Sequence, residues 1–429
     1  MTKLAPRGCL AYELSGCDGV TGACPAHLSG LIRSMPDLAG SWLITGMPRS
    51  DPFPGRRRSS ATGSSPVQGK EPDAVSTIVA HTHPFVIGVD THSKTHTYAV
   101  LTAAGQHLGT ETFPNTAAGR ARAISWAGRR TSGVADALWV IEGANSYGAQ
   151  LARNVTDTGY RVVEAARMSG GRRGVGKSDP LDAQRIAATV LSLPSDQLRI
   201  PRQDEGVRAA TQILLTARDE LAGERTRAVN ALTALLRITD LGIDARRPLG
   251  ARTIAEAARW RTREEPLATA TARTEAIRLA KRVLELDAEL DQNMARISDL
   301  VEASPAAGLL QKTGIGPVTA ARTLVAWSHP GRINSEAAFA AIAGVNPIPA
   351  SSGNTTRHRL NRGGDRQLNR ALNVIAMVRM VHDPDTRAYV DRRRAEGKTD
   401  REIRRILKRY LARSIYRHLN TAPTSKIGG

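Results

Sequence analysis

Residues 85–94, Phe-Val-Ile-Gly-Val-Asp-Thr-His-Ser-Lys, constrain the fold more than any other stretch, because an almost unbroken apolar run ends by delivering one carboxylate. Phe85 to Val89 suit a strand buried on both faces, and Asp90 continues that strand instead of closing it in a turn. A charge so placed is costly to desolvate unless a cation accompanies it. Asp90 is therefore either paired with a base inside the fold or one member of a metal site.

The chain beyond this run reads as a regular α/β pattern. Strands over 85–90, 97–102 and 107–113 have short links, which makes them an antiparallel meander. A helix over 116–129, a strand over 137–142, a helix over 146–157, a strand over 161–165 and a helix over 180–192 complete the order βββαβαβα. That order matches a ribonuclease-H-like layout, a mixed sheet with helices packed on it, and assigns residues 83–200 to one domain. Residues 1–82 differ. Gly, Pro and Ser are scattered through them, a polar run covers 56–66 and no periodicity persists, so this segment is expected to be disordered or an extension from a mis-assigned start. Cys9, Cys17 and Cys24 all lie there, which excludes a disulfide framework for the body of the protein, and their spacing lacks the paired pattern of a zinc site.

Residues 201–305 read as long helices. Leu279, Val283, Leu286, Leu290, Met294, Ile297 and Val301 alternate steps of three and four, and Leu214, Leu221, Ala228 and Leu235 recur every seven. Such a seam serves a dimerising coiled coil or an intramolecular helical hairpin equally well. A mainly α domain over 306–420 follows, with a short tail over 421–429. It opens at Lys312-Thr-Gly314-Ile-Gly316-Pro, either a helix-hairpin-helix turn whose backbone N–H groups approach a phosphate or an ordinary glycine turn at a helix start.

Charge narrows the partners. Sixty Lys and Arg stand against forty Asp and Glu, a formal net charge of +20, and residues 351–420 hold eighteen Lys and Arg against seven Asp and Glu. The excess points to nucleic acid, with the positive surface concentrated toward the C-terminus. No uncharged apolar run approaches the ~20 residues of a spanning helix, and the first residues lack a signal-peptide pattern. The chain reads as soluble and cytoplasmic, without a membrane partner.

Two constellations could carry chemistry. Asp90 on the first strand, Glu142 at the end of the fourth, and Asp179 and Asp182 opening the last helix of the α/β domain would converge at one sheet edge. Four acids there repel unless divalent metal sits between them, and an all-oxygen site suits Mg²⁺, with Mn²⁺ in its place as the other candidate. Each acid alone has a structural reading: Asp179, Pro180 and Asp182 also make a helix cap, and Glu142 before Gly143 could be a strand-end residue facing water. The second constellation runs from Pro347 to Arg366, where Arg357, Arg359, Arg362 and Arg366 crowd around Ser351-Ser352-Gly353. It is either a phosphate-binding loop or the setting in which one serine hydroxyl attacks phosphorus while the arginines neutralise the phosphoryl oxygens.

Gly88-Val-Asp-Thr-His92, Val140-Ile-Glu-Gly-Ala-Asn-Ser-Tyr-Gly148, Lys177-Ser-Asp-Pro-Leu-Asp-Ala183, Gly344-Val-Asn-Pro-Ile-Pro-Ala-Ser-Ser-Gly353 and Arg359-Leu-Asn-Arg-Gly-Gly-Asp-Arg366 resemble the DEDD transposases of the insertion-sequence "one-ten" family. The resemblance covers about residues 84–420. It implies a RuvC-like domain carrying Asp90, Glu142, Asp179 and Asp182, a coiled-coil region for assembly into a dimer or tetramer, and a C-terminal transposase domain. The nucleophilic serine falls on Ser351, with Ser352 as the alternative. Serine attack implies a covalent 5′-phosphoserine link, and the family also implies guidance by a structured noncoding RNA. That would leave the protein to read backbone and shape, in keeping with an aromatic content of 4%. The expected function is excision and insertion of a mobile DNA element in a bacterium. The alternatives from other classes are a structure-specific metal-dependent nuclease and a non-catalytic nucleic-acid-binding protein.

Overall fold

The apolar run becomes β1 (Phe85–Thr91), the middle strand of a five-stranded mixed sheet in the order β3-β2-β1-β4-β5. The computed structural model describes residues 77–165, 179–350 and 358–421, and all of these outside 250–252 belong to one compact unit. The short helix α1 (Val79–Thr82) precedes β1; β2 (Thr95–Thr102) and β3 (His107–Pro114) follow as antiparallel neighbours. The helix α2 (Ala117–Arg130) leads to β4 (Leu138–Ile141), α3 (Ala149–Asp157), β5 (Arg161–Glu164) and α4 (Asp179–Leu191). β4 runs parallel to β1, and β5 parallel to β4. From β1 onward this is the element order expected from the pattern of apolar runs.

Side-chain alternation divides the sheet into two packed faces. Ile87 and Val89 meet Trp139, Ile141, Trp126 and Leu151 under α2 and α3. Val86 meets Leu138, Val140, Ile186 and Val190 under α4. Gly88 belongs to the second face, where a Cβ would lie 2.6 Å from the Ala187 backbone nitrogen and closer still to the Ala183 carbonyl oxygen. Only glycine lets α4 lie directly on β1. Residues before 83 also pack on the sheet domain: Val79 is fully buried in the α4 face, and its N–H donates to the Leu193 carbonyl at 2.9 Å. An apolar side chain at the start of α1 draws into the core residues that sequence composition leaves to the N-terminal extension.

The long helices α5 (Gly206–Ile238) and α7 (Leu267–Glu302) pack on each other, with α6 (Ala251–Ala258) between them in sequence. Arg225 pairs with Asp287, Arg282 Nε with Glu224 at 2.9 Å, and Asn293 Nδ2 donates to the Leu214 carbonyl at 3.0 Å. Rising numbers on α5 meet falling numbers on α7, so the two are antiparallel. Val283, Leu286, Ile297 and Val301 of the seam are fully buried within the chain, while Leu279, Leu290 and Met294 are half-buried.

At one end the hairpin joins the C-terminal helices: Leu214, Ile297 and Val301 share a core with Trp327, Phe339, Leu372, Ile375 and Ile415. That core is built by α8 (Pro317–Trp327), α9 (Glu336–Ile342), α10 (Arg366–His382), α11 (Pro384–Ala395) and α12 (Asp400–Thr421). Between α9 and α10 the strands β6 (Ile348–Pro349) and β7 (His358–Arg359) pair antiparallel, Ile348 opposite Arg359. Among the described residues no helix is long and apolar enough to cross a membrane.

Candidate functional site

Strand alternation puts Asp90 on the same face as Val86 and Gly88, turned toward α4, and its residue is only 7% exposed. Just past the end of β1 is His92, whose Nε2 lies 3.2 Å from Asp90 Oδ2 and 3.6 Å from Asp179 Oδ2. Asp179 stands in the first turn of α4, which the close Gly88 contact seats against β1. One ligand atom from each of Asp90, His92 and Asp179 lies within 4.8 Å of the others. Burial pushes the Asp90 carboxyl above the usual carboxylate range; His92 opposes that shift, and the charges of Asp179 and Asp182 add to it. A buried acid destabilised by two neighbouring acids has the electrostatics of a cation site.

The other two expected acids lie beside this group. Glu142 directly follows β4, its N–H donating to the Val89 carbonyl at 3.0 Å and its own carbonyl accepting from Thr91 Oγ1 at 2.7 Å. Its backbone is thus locked next to Asp90, and its side chain is exposed. The strand ends one residue earlier than its apolar pattern suggests because Gly143 turns the chain at φ +60°. Asp182 is largely buried, with Arg185 Nη1 3.2 Å from its Oδ1. Neither Glu142 nor Asp182 belongs to the three-residue group.

His92 is the residue that the four-acid scheme omits. The signal for it lies in the sequence: Asp90 and His92 are two apart where β1 runs out at Thr91, and backbone still extended there carries both side chains to one side.

The serine segment is described only at its borders. Ser351, Ser352 and Arg357 lie outside the described residues. Arg359 on β7, Arg362, and Arg366 at the start of α10 are exposed, and among the described residues none of the three meets a carboxylate. Asn361 holds the returning chain, donating to Asn346 Oδ1 at 2.7 Å and accepting from the Gly363 N–H at 2.8 Å. Gly364 sits at φ +92°, where a Cβ would come 2.5 Å from the Ile342 carbonyl oxygen. Asp365 then caps α10 through the Gln367 and Leu368 N–H groups. These contacts fix where three arginines stand without using their charges.

At the glycine turn, Gly314 adopts φ +82° and packs against α10, where a Cβ would lie 3.1 Å from the Ile375 carbonyl oxygen. The Ile315 N–H donates to the Lys312 carbonyl, and the Gly316 N–H to Thr319 Oγ1 at 3.0 Å. Two of the N–H groups expected to face a phosphate are therefore engaged inside the turn.

With this geometry in view, the chain compares closely with proteins of mobile elements. A family model for DEDD transposases of the IS110 type, described as "Transposase", matches residues 87–240, and the model "Transposase IS116/IS110/IS902 family" matches residues 306–391. The "Insertion element IS110 uncharacterized 43.6 kDa protein" of Streptomyces coelicolor is 28% identical over 363 residues, covering 73% of this chain and 88% of that protein. The "Insertion element IS900 uncharacterized 42 kDa protein" of Mycobacterium paratuberculosis is 28% identical over 369 residues, 73% of this chain and 90% of that protein. The first match spans the sheet with its acidic edge and the second takes in the serine segment, and together they define a DNA transposase. Both models and both relatives place its likeness with insertion-sequence transposases of the IS116/IS110/IS902 type, the DEDD domain lying over residues 87–240.

Proposed function

We propose that this transposase cuts and rejoins DNA by dividing the work between a divalent-metal site at the acidic edge and a serine nucleophile in the segment between β6 and β7. The observation that carries the first half is the buried Asp90 facing Asp179 where β1 and α4 meet. Asp90, Asp179, Asp182 and Glu142 would hold Mg²⁺ or Mn²⁺; oxygen donors suit either ion, and a carboxyl pushed up chiefly by burial, with Asp179 and Asp182 adding to the shift, fits a place meant for a cation. Bound there, the metal supplies charge neutralisation for the phosphodiester oxygens.

The second half rests on the composition of the serine segment and on its family match. The Ser351 hydroxyl, with Ser352 as the alternative, attacks a DNA phosphorus. An Oγ–P bond forms as the bond from phosphorus to the neighbouring 3′ oxygen breaks, and the serine proton ends on that leaving 3′ hydroxyl. The 5′-phosphoserine link conserves the ester for rejoining. Arg357, Arg359, Arg362 and Arg366 bind the DNA phosphates along this segment, and Lys312 with the turn at Gly314 and Gly316 meets the backbone elsewhere along the strand. In this reading residues 83–200 are a RuvC-like domain, 201–305 assemble a dimer or tetramer, 306–420 form the transposase domain, and a noncoding RNA chooses the sites. The protein works in the bacterial cytoplasm on nucleoid DNA.

The test is denaturing electrophoresis of the full chain with labelled DNA spanning the joined element ends, flanking RNA and Mg²⁺. A slow protein–DNA band lost with Ser351→Ala, and retained with Ser352→Ala, is expected. The reverse pattern moves the nucleophile by one residue. Free cleavage products with no covalent band in any variant would replace the serine reading by a metal-dependent nuclease.

A further inference from the structure

The four-carboxylate scheme leaves His92 without a part, yet its imidazole stands between two of the acids. Nε2 is 3.2 Å from Asp90 Oδ2 and 3.6 Å from Asp179 Oδ2, so a single ring nitrogen is shared between carboxylates that come from different elements. The placement is not that of a loose surface side chain. The His92 N–H donates to the Thr95 carbonyl at 3.0 Å, closing the turn from β1 into β2. One residue earlier, the Thr91 hydroxyl donates to the Glu142 carbonyl at 2.7 Å, tying the end of β1 to the end of β4. These two contacts fix the backbone that carries the imidazole, and the ring, half-exposed, is reachable from solvent.

An ordinary salt-bridging role would need His92 protonated and would give it no function once a metal ion neutralised the acids. A ligand role uses the same geometry with the neutral ring, whose Nε2 stands within 3.6 Å of an oxygen of each carboxylate. The two roles differ in the metal they favour. Mg²⁺ is a hard ion that demands oxygen and keeps its waters, whereas imidazole nitrogen is a donor for first-row transition ions. Mn²⁺ accepts both donor types.

We infer that His92 is a ligand beside Asp90 and Asp179, making one metal position of this transposase a mixed nitrogen–oxygen site that selects Mn²⁺ over Mg²⁺. This rests on the acidic edge being a metal site at all, and the measurement separates the two claims. The full chain, stripped with chelator, is titrated with Mn²⁺ and followed by electron paramagnetic resonance; Mg²⁺ affinity is read by competition. Electron spin echo modulation on the bound Mn²⁺ is expected to show a directly coordinated ¹⁴N, shifted to the ¹⁵N pattern when histidine is isotope-labelled. In His92→Ala that coupling is expected to vanish, with Mn²⁺ affinity falling about tenfold or more, the scale of losing a partner of a bound metal, and Mg²⁺ affinity changing by under about threefold. Mn²⁺ bound to the wild type with no nitrogen coupling would overturn the inference and leave the carboxylate site standing, and this reading needs no variant to fold. Equal losses for both ions in a folded His92→Ala would also overturn it. Mn²⁺ affinity unchanged in Asp90→Asn would remove the metal site itself, and the inference with it.

Discussion

The acidic edge and the serine segment lie on opposite kinds of scaffold. Asp90 is held by strand register and Asp179 by a helix pressed onto a glycine, with His92 in the turn that follows β1, so a backbone shift at either carboxylate must move a packed layer. Arg359, Arg362 and Arg366 are held by turns, asparagine bonds and a helix cap, and their charges remain exposed. A metal site needs ligand atoms placed to a few tenths of an ångström, which rigid layers provide. A phosphate backbone is a long repeating anion, and exposed arginines at fixed backbone positions suffice to meet it. The contrast implies that substitutions at the acidic edge act on chemistry and packing together, whereas those at the arginines act on binding alone.

The largest difference should appear in strand cleavage. Asp90→Asn keeps the shape of the side chain and removes the charge that would attract a cation, so DNA cleavage is expected to fall on the order of 10³-fold, with the protein still folded. Arg359→Gln is expected to reduce cleavage far less, and saturating DNA should restore most of it. Rates for both variants across DNA concentrations check this. An arginine variant that saturation does not rescue would put that guanidinium in the chemistry and break the comparison.

Next in size is the glycine under the helix. Gly88→Ala forces a methyl into the α4 backbone at Ala183 and Ala187, and neither of those atoms can move without lifting the helix. A loss of about 3 kcal/mol or more is expected from such overpacking, read by urea denaturation, together with loss of metal binding, since α4 carries Asp179. Normal metal affinity in a folded Gly88→Ala protein would show that the acids do not depend on this packing.

The arginines should give a smaller and cleaner result. Replacing Arg359, Arg362 and Arg366 with Gln is expected to lower the slope of log binding constant against log salt by about 1 for each phosphate left without its guanidinium. Stability should shift by under about 0.5 kcal/mol, because exposed side chains without packing partners contribute little. Metal affinity should not change. A fall in stability would mean that the charges fix the β6–β7 pairing, contrary to their freedom from carboxylates among the described residues.

The same contrast explains which parts were legible in the sequence. Alternation and apolar runs revealed the sheet, its order and the strand carrying Asp90, because two buried faces leave few other registers for Val86 to Asp90. The apolar pattern sets Glu142 one residue too far inside its strand, since a Gly after an acid signals a turn without saying which residue begins it. Val79 escapes notice because one buried side chain leaves no period. His92 is visible in the motif but not in its role, as a convergence of atoms from β1 and α4 is a tertiary fact. The α5–α7 seam is legible as a seam, but the pattern cannot distinguish packing within a chain from packing between chains. The buried Val283 and Leu286 are satisfied within this chain.

The smallest expected effect concerns stability and its dependence on pH. With metal removed by chelator, the folded-state pKa of Asp90 lies above its unfolded value, chiefly through burial. At low pH both states hold the proton and the group has no effect. As pH rises past the ordinary Asp range the unfolded chain releases its proton first, so the folded protein loses stability until its own raised pKa is passed, and the penalty is constant above that. Asp90→Asn, which never ionises, should therefore melt higher than wild type at pH 7 by roughly 2 °C or more, and the gap should close as pH falls toward 4 and below. Saturating Mn²⁺ should reverse the order, because only the wild type binds it well. Calorimetric scans of both proteins with and without metal decide the matter. If the Asn variant melts lower than wild type in chelator at pH 7, the His92 contact outweighs the burial of the charge, and the edge is a self-sufficient ion pair instead of a place prepared for a cation. No such pH-dependent gap is expected for Arg359→Gln, which keeps the comparison between the two regions sharp at its weakest point.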